Sequence, residues 1–295
     1  MFYIFLKRAA FFAGLLVVFL VGGYYVTSAL NAGNRNFVLQ NGARYLLVGH
    51  SHTACAVDPA IAKSVANFSA SGESYLYMGA KVRKFVEANG SLKSVIIAIS
   101  NNSVSKELDP WVASDFFLGY FMPRYYPLMS QPEKDTLFRE NKSGYIYSLG
   151  KTALDNIFYA GYRYGRYSSV LGGFERLNGD IGKWEQSAAI RTPEAIPSDT
   201  VSSLNLQYLE NMVQYLKDRD IRVILIRTPL HRSFWSRCKN EWLFQKVIHE
   251  QFSSVLFLDF KDFQLTDSDF HDPEHLNADG AGKFSRHLEL VLEKI

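Results

Sequence analysis

A serine near the start of the chain, and an aspartate and a histidine three residues apart near its end, form the combination here that can make and break acyl bonds. Ser51 stands in Gly49-His50-Ser51-His52-Thr53, and the pair in Asp272-Pro273-Glu274-His275. A serine hydroxyl is inert as a nucleophile until a base takes its proton, so an imidazole must come within about 3 Å of it. That imidazole needs a carboxylate to fix its tautomer and stabilise its protonated form. Asp272 and His275 share one loop, in which Pro273 stiffens the turn and the spacing lets the acid fold back onto the ring. Alone, Ser51 reads as a helix cap; with Asp272 and His275 downstream it reads as a nucleophile. Metal binding competes for the same residues. His50, His52, His271, His275 and Asp272 are zinc-type donors, although His-x-His on a turn departs from the helical His-Glu-x-x-His pattern. His50, His52 and His231 (after Thr228-Pro229-Leu230) are further candidates for lining a cleft.

These residues need a scaffold, and the apolar pattern supplies one. Residues 44–49 form a compact apolar run ending at glycine, as a buried parallel strand does. Residues 66–69 read as a brief second strand, 94–100 as a third rich in β-branched residues, 222–227 as a fourth and 255–259 as a fifth. Between them lie helical stripes. Asp58-Pro59 reads as the start of a short helix. Leu76, Met78, Val82, Phe85 and Val86 share a face closed by Asn89-Gly90. Leu206, Leu209, Met212, Val213 and Leu216 form another, residues 241–252 a third, and Ala281, Phe284, Leu288, Val291 and Leu292 the last. Alternating strands and helices imply an α/β fold, a central parallel sheet covered on both faces, with chemistry beyond the carboxyl ends of its strands. Ser51 follows the first strand and Asp272/His275 precede the last helix, so both fall at that end.

Residues 103–202 interrupt the alternation. They carry Trp111, Phe116, Phe117, Tyr120, Phe121, Tyr125, Tyr126, Tyr145, Tyr147, Tyr159, Tyr162, Tyr164 and Tyr167. Most of these rings are expected in the core of an inserted helical subdomain, with a few forming a platform over the cleft, where flat rings stack on sugars.

The chain has 295 residues, 47% hydrophobic and 21% charged, which excludes both a multi-span membrane protein and a disordered chain. Its 32 basic and 29 acidic residues are scattered, which argues against nucleic acid as a partner. Two distant cysteines, Cys55 and Cys238, make no disulfide framework and no Cys-x-x-Cys motif. Ala9 to Val26 holds no charge and is long enough to cross a bilayer as a helix, with Lys7 and Arg8 before it and Tyr24 and Tyr25 at its far end. The basic flank is expected to stay cytoplasmic, which exports everything after the span. A cleaved signal ending at Thr27-Ser28-Ala29 is the rival reading, with the same consequence. The expected organisation is an anchor over 1–30, a linker over 31–43, and one domain over 44–295 with the insertion at about 103–202.

Ser51 after the first strand, with Asp272-x-x-His275 before the last helix, resembles the SGNH (GDSL-like) hydrolases. The resemblance covers the chain from about Tyr45 onward, outside the insertion. It implies a flavodoxin-like three-layer sandwich, Ser51 as nucleophile, His275 as general base and then acid, and Asp272 as its carboxylate. It also implies an oxyanion hole from the Ser51 amide, the Gly72 amide and the Asn102 side chain, with Asn101 as the alternative, and it implies no cofactor. The chain departs from the family at Gly49-His50-Ser51, usually Gly-Asp-Ser, and at Ser100-Asn101-Asn102-Ser103, usually Gly-x-Asn-Asp. In layout it looks more like the membrane-tethered members that modify envelope polymers. That implies a serine esterase or O-acyltransferase acting on acyl, especially acetyl, esters of an exported polysaccharide. An acyl donor, a polysaccharide acceptor and an integral-membrane donor partner would follow. A catalytically silent domain that binds polysaccharide or assembles envelope machinery is the alternative, and a metal-dependent hydrolase another.

Overall fold

The computed structural model describes residues 2–39, 42–163, 165–182 and 200–295. Tyr164, Met1 and the 183–199 part of the insertion lie outside the described residues. Five strands form one sheet: β1 (Tyr45–Val48), β2 (Val65–Asn67), β3 (Ser94–Ala98), β4 (Arg222–Arg227) and β5 (Leu256–Asp259), in the order β2-β1-β3-β4-β5. Every pairing is parallel. This is the flavodoxin-like order, whose direction of winding reverses between β1 and β3. The register aligns Leu47 with Ile96 and Val48 with Ile97, so the two carboxyl ends emerge side by side.

Strand periodicity sorts the apolar side chains into two layers. Leu46, Val48, Val95 and Ile97 pack with α3 (Tyr75–Ala88), α8 (Ser203–Lys217) and α10 (Glu241–Gln251) through Phe85, Leu209 and Phe244; the short α9 (Arg232–Trp235) follows β4. Leu47, Ile96 and Ala98 face the opposite layer with Ala56 of α2 (Ser51–Ala56) and Phe284 and Leu288 of α11 (Ala278–Leu292). Both faces are thereby covered, as continuous apolar strands require. The short helix begins at Ser51, earlier than the Asp58-Pro59 signal indicates. Asp58 instead closes a turn, its carboxylate accepting from Ala60 N–H at 2.9 Å. The brief second strand likewise sits one residue earlier than its apolar run suggests.

The insertion is helical: α4 (Pro110–Ala113), α5 (Asp115–Tyr125), α6 (Gln131–Glu140) and α7 (Lys142–Tyr162). Phe121, Tyr125, Tyr145 and Tyr167 are buried in it, whereas Phe116, Tyr147 and Tyr162 are exposed. A buried ion pair ties it to the sheet. Lys81 Nζ on α3 donates to Glu73 at 2.6 Å and to the Phe68 and Leu171 carbonyls, and the Tyr125 hydroxyl donates to Glu73 at 2.6 Å. Burial pushes Glu73 up to about 7, against the opposing pull of Lys81.

Among the described residues one helix, α1 (Phe2–Asn31), is long and apolar enough to cross a membrane, and none of its apolar window is buried. Beyond it, Phe37 is buried against Phe85 and Tyr167, with centroids 5.4 and 6.4 Å away. The chain that leaves the helix is therefore held to the domain. Glu73→Ala strands a buried ammonium group, and a loss of about 3–5 kcal/mol of stability is expected, read as a lowered melting temperature. An unchanged melt would show that this pair does not hold the insertion.

Candidate active site

The turn after β1 is shaped by Gly49. A Cβ there would lie 2.2 Å from Thr53 Oγ1 and 2.4 Å from Ala98 Cβ, so only glycine lets the chain turn this close to β3. The helix cap that follows is His50, whose Nδ1 accepts from His52 N–H at 3.4 Å. Ser51 is thus the first residue of α2 and not its cap, which corrects the structural reading of this serine. Its side chain lines a cleft of about 240 Å³ together with His50, His52, Asn102, Glu274 and His275. From the insertion, Ser105, Glu107, Leu108 and Trp111 line the same cleft.

The 266–277 loop reaches this cleft under several restraints. Phe270 and Leu276 form a β-bridge, and Asn277 caps α11 while its amide donates to Ser268 and Gly179 carbonyls at 2.7 and 2.8 Å. Inside the loop, Asp272 Oδ1 accepts from the Glu274 and His275 backbone N–H groups at 2.8 and 2.9 Å. Both Asp272 oxygens lie 2.9 Å from His275 Nδ1. An ionised carboxylate only accepts, so Nδ1 carries the ring proton and Nε2 presents its lone pair. Burial alone would raise Asp272, but the His275 ring and these backbone donors hold it below its ordinary value. Ser51 and His275 line the same cleft.

The two asparagines after β3 diverge. Asn101 turns inward: its Oδ1 accepts from buried Arg227 at 3.1 Å and its Nδ2 donates to Glu241 at 2.8 Å. Arg227 also binds Asp259 at 2.6 Å and lies over the Phe244 ring, its guanidinium 4.2 Å from the centroid. Asn101 therefore belongs to the wall behind the turn, and Asn102 is the one on the cleft. Ser103, which accepts from Tyr75 and from the Ser100 N–H, fixes that turn.

Asn102 Nδ2 donates to Glu274 Oε2 at 2.5 Å, and His52 Nε2 donates to the same oxygen at 3.0 Å. Burial would raise Glu274, but His52, His275 and Asn102 hold it below its ordinary value, so it is an anion in the cleft. Sequence reasoning gave Glu274 no role. The available signal was a second carboxylate inside the Asp-x-x-His loop. Arg227 was likewise passed over, although a charge at the end of an apolar strand is a signal of its own.

Three histidine rings gather here. His50 and His52 lie 4.5 Å apart, and His52 and His275 5.5 Å, both pairs edge to face. Burial first, then the neighbouring imidazoles, holds His50 well below 6.5, so it is neutral. Gly72 does not line the cleft: it sits at φ +75°, with the Phe117 ring 2.8 Å from where a Cβ would stand. His231 also lies off the cleft wall. Its N–H donates to the Pro273 carbonyl at 3.0 Å and its Nε2 contacts Asp267 at 3.2 Å, bracing the loop from outside. His271 turns its Nδ1 to the Asn178 carbonyl at 2.8 Å. Among the described residues, no three His, Cys, Asp or Glu side chains converge to hold a metal ion.

A family model matches residues 191–295, which include β4, β5 and the Asp272–His275 loop. No curated protein matches the sequence. Solved structures similar in chain path include the following three. One, described provisionally as a platelet activating factor from Streptococcus pneumonia, is 12% identical with a TM-score of 0.45, over 96% of this chain and 99% of that one. An acylhydrolase, also provisionally described, from Bacteroides fragilis is 11% identical with a TM-score of 0.41, over 88% and 92%. A GDSL-like lipase from Bacteroides thetaiotaomicron is 10% identical with a TM-score of 0.40, over 90% and 98%.

The asparagines should separate experimentally. Asn101→Ala removes partners from buried Arg227 and Glu241 and is expected to lower stability by about 1–3 kcal/mol. Asn102→Ala should cost less, since it removes one donor from Glu274, which keeps His52 as a partner. Equal losses in denaturant titrations would contradict this division. Acidification offers a second check. His50 is held neutral in the fold but takes a proton near pH 6.5 when unfolded, so its burial weakens the fold as pH drops below that value. The depressed Asp272 and Glu274 act only at lower pH, below their ordinary values of 3.8 and 4.5. The stability gap between wild type and His50→Gln should therefore narrow from about pH 7.5 to about pH 5.5. A constant gap would refute the assignment.

Proposed function

We propose that the chain is a membrane-tethered serine esterase or O-acyltransferase of the SGNH type. Its substrates are acyl esters, acetyl esters foremost, of an exported or cell-envelope polysaccharide. The observation that carries the reading is the Asp272–His275 pair, bonded at 2.9 Å, on the same cleft wall as Ser51 at the carboxyl ends of β1 and β3. Ser51 Oγ attacks the acyl carbonyl as His275 Nε2 takes its proton, and Asp272 stabilises the imidazolium. The oxyanion is received by the Ser51 N–H, which as a first-turn amide has no partner within its helix, and by Asn102 once its amide leaves Glu274. His275 then returns the proton to the departing alkoxide, leaving an acyl-enzyme. Water completes hydrolysis; a sugar hydroxyl, deprotonated by the same imidazole, completes transfer. Trp111, which also lines the cleft, supplies a flat face on which a sugar can stack. The apolar α1 keeps this chemistry beside the membrane's outer surface, within reach of an integral-membrane protein that hands over the acyl group.

A second reading, a silent domain that binds polysaccharide, is favoured by one observation: the Asn102 amide is engaged by the Glu274 carboxylate. A fluorophosphonate probe separates the two. Labelling of the full-length protein that disappears in Ser51→Ala supports the enzyme, and no labelling at all supports the silent domain. With 4-nitrophenyl acetate, Ser51→Ala and His275→Ala are expected to lose at least about 100-fold in kcat/KM. Wild-type turnover should fall on acidification, because a protonated imidazole cannot accept the serine proton. Undiminished turnover by Ser51→Ala would remove the nucleophile from the mechanism.

A further inference from the structure

Helix α7 carries polar residues inward and apolar ones outward. Between Tyr145 and Ala160 its buried stripe holds Ser148, Thr152 and Asn156, four residues apart. Thr152 Oγ1 bonds the Ser148 carbonyl at 2.7 Å, and Asn156 Nδ2 bonds those of Thr152 and Pro123 at 2.8 and 3.3 Å. Its outward stripe is largely apolar, with Lys151 exposed among the apolar residues. Ile146, Tyr147, Leu154, Phe158 and Tyr162 are 62, 84, 67, 58 and 71% exposed, at spacings of one helical face. A helix facing water carries the reverse pattern, and an exposed apolar strip of this length marks an interaction surface.

The position of α1 identifies what covers the strip. The outer end of the apolar helix lies along α7, with Val21 and Tyr24 facing Leu149 and Ala153 across a crevice of about 290 Å³. Asn31 Nδ2 closes the contact on Asn156, at 3.0 Å from both its carbonyl and its Oδ1. Tyr24 also meets the Tyr126 ring, centroids 6.2 Å apart. Tyr24 and Tyr25 occupy the aromatic belt where a spanning helix leaves the hydrocarbon, so α7 is held at the level of the headgroups. Lys142, Lys151 and Arg163 lie on or just past the same helix, and Arg163 lies over the Tyr162 ring at 5.2 Å. Aromatic and aliphatic side chains with flanking cations suit the boundary between acyl chains and anionic headgroups.

We infer that the outward face of α7 is a lipid-contact surface that lies in the interface of the bilayer that α1 spans. It rests on the reading of α1 as an uncleaved anchor. The insertion is thereby a second point of attachment, and the domain is held in one orientation instead of swinging on a tether.

The test uses the full chain in a Cys238→Ala background, with a nitrobenzoxadiazole fluorophore on one introduced cysteine at a time. The sites are Tyr147→Cys and Phe158→Cys on α7, Leu16→Cys within α1, and Leu290→Cys on the exposed side of α11. The protein is reconstituted into vesicles of phosphatidylcholine and phosphatidylglycerol that carry a nitroxide near the headgroup end of the acyl chains. The expected result is quenching at Tyr147→Cys, Phe158→Cys and Leu16→Cys that is several-fold stronger than at Leu290→Cys. Quenching at Leu16→Cys alone overturns the lipid-contact surface and leaves the anchor standing. Absence of quenching at Leu16→Cys overturns the anchor and the inference with it. If the α7 sites escape the lipid nitroxide and are also shielded from aqueous iodide, another protein or a second copy covers the face, and the proposal fails.

Discussion

The parallel pairing of β1 with β3 is the constraint from which the rest of the site follows. With Val48 opposite Ile97, the chain leaves the sheet at two adjacent points and turns in different directions. One exit delivers Ser51 on the first turn of α2, the other delivers Asn102, and the cleft is the gap between them. A one-residue slip in this register would move the strands' apolar side chains into the wrong layers. Two packed cores therefore hold the relative position of two cleft residues, which is a stiffer support than any contact the loops make with each other.

The parts of the fold that could be read in advance are those with repeated apolar signals. β4 is an uninterrupted apolar run and appears over Arg222–Arg227 as expected, and α11 follows its stripe of threes and fours. The region around Asp58 misled, because a capping residue followed by proline is also how a tight turn is made; the helix had begun at Ser51, with a histidine in the capping position. In the candidate site, the Asp272–His275 contact was legible because it is local, three residues apart in one loop. Asn101 and Asn102 were not distinguishable from composition or spacing. What separates them is Arg227, a residue more than a hundred positions away whose charge draws one asparagine inward. Glu274 was unreadable for the same reason: its partners, His52 and Asn102, arrive from the ends of two other strands.

Buried charge surrounds this cleft on more than one side. Arg227 beside Glu241 and Asp259, and Asp272 beside His275, are buried charges satisfied by several hydrogen bonds. Such groups contribute little net stability relative to apolar packing, but each fixes a direction that an apolar contact leaves free. Here the directions fixed are those of the His275 imidazole on the cleft and of the Asn101 amide behind it. Glu73 and Lys81 do the same for the insertion, so that Trp111 is carried on a body clamped to the sheet.

The Glu274 carboxylate has a consequence for which molecules the cleft can admit. One amide of Asn102 cannot serve two anions at once, and a carbonyl oxygen gathering negative charge beside a resident anion is repelled until that anion turns aside. A visitor rich in hydroxyl donors can draw Glu274 toward itself and release the amide as it settles. The resting arrangement thus leaves the amide committed until a guest offers Glu274 another donor.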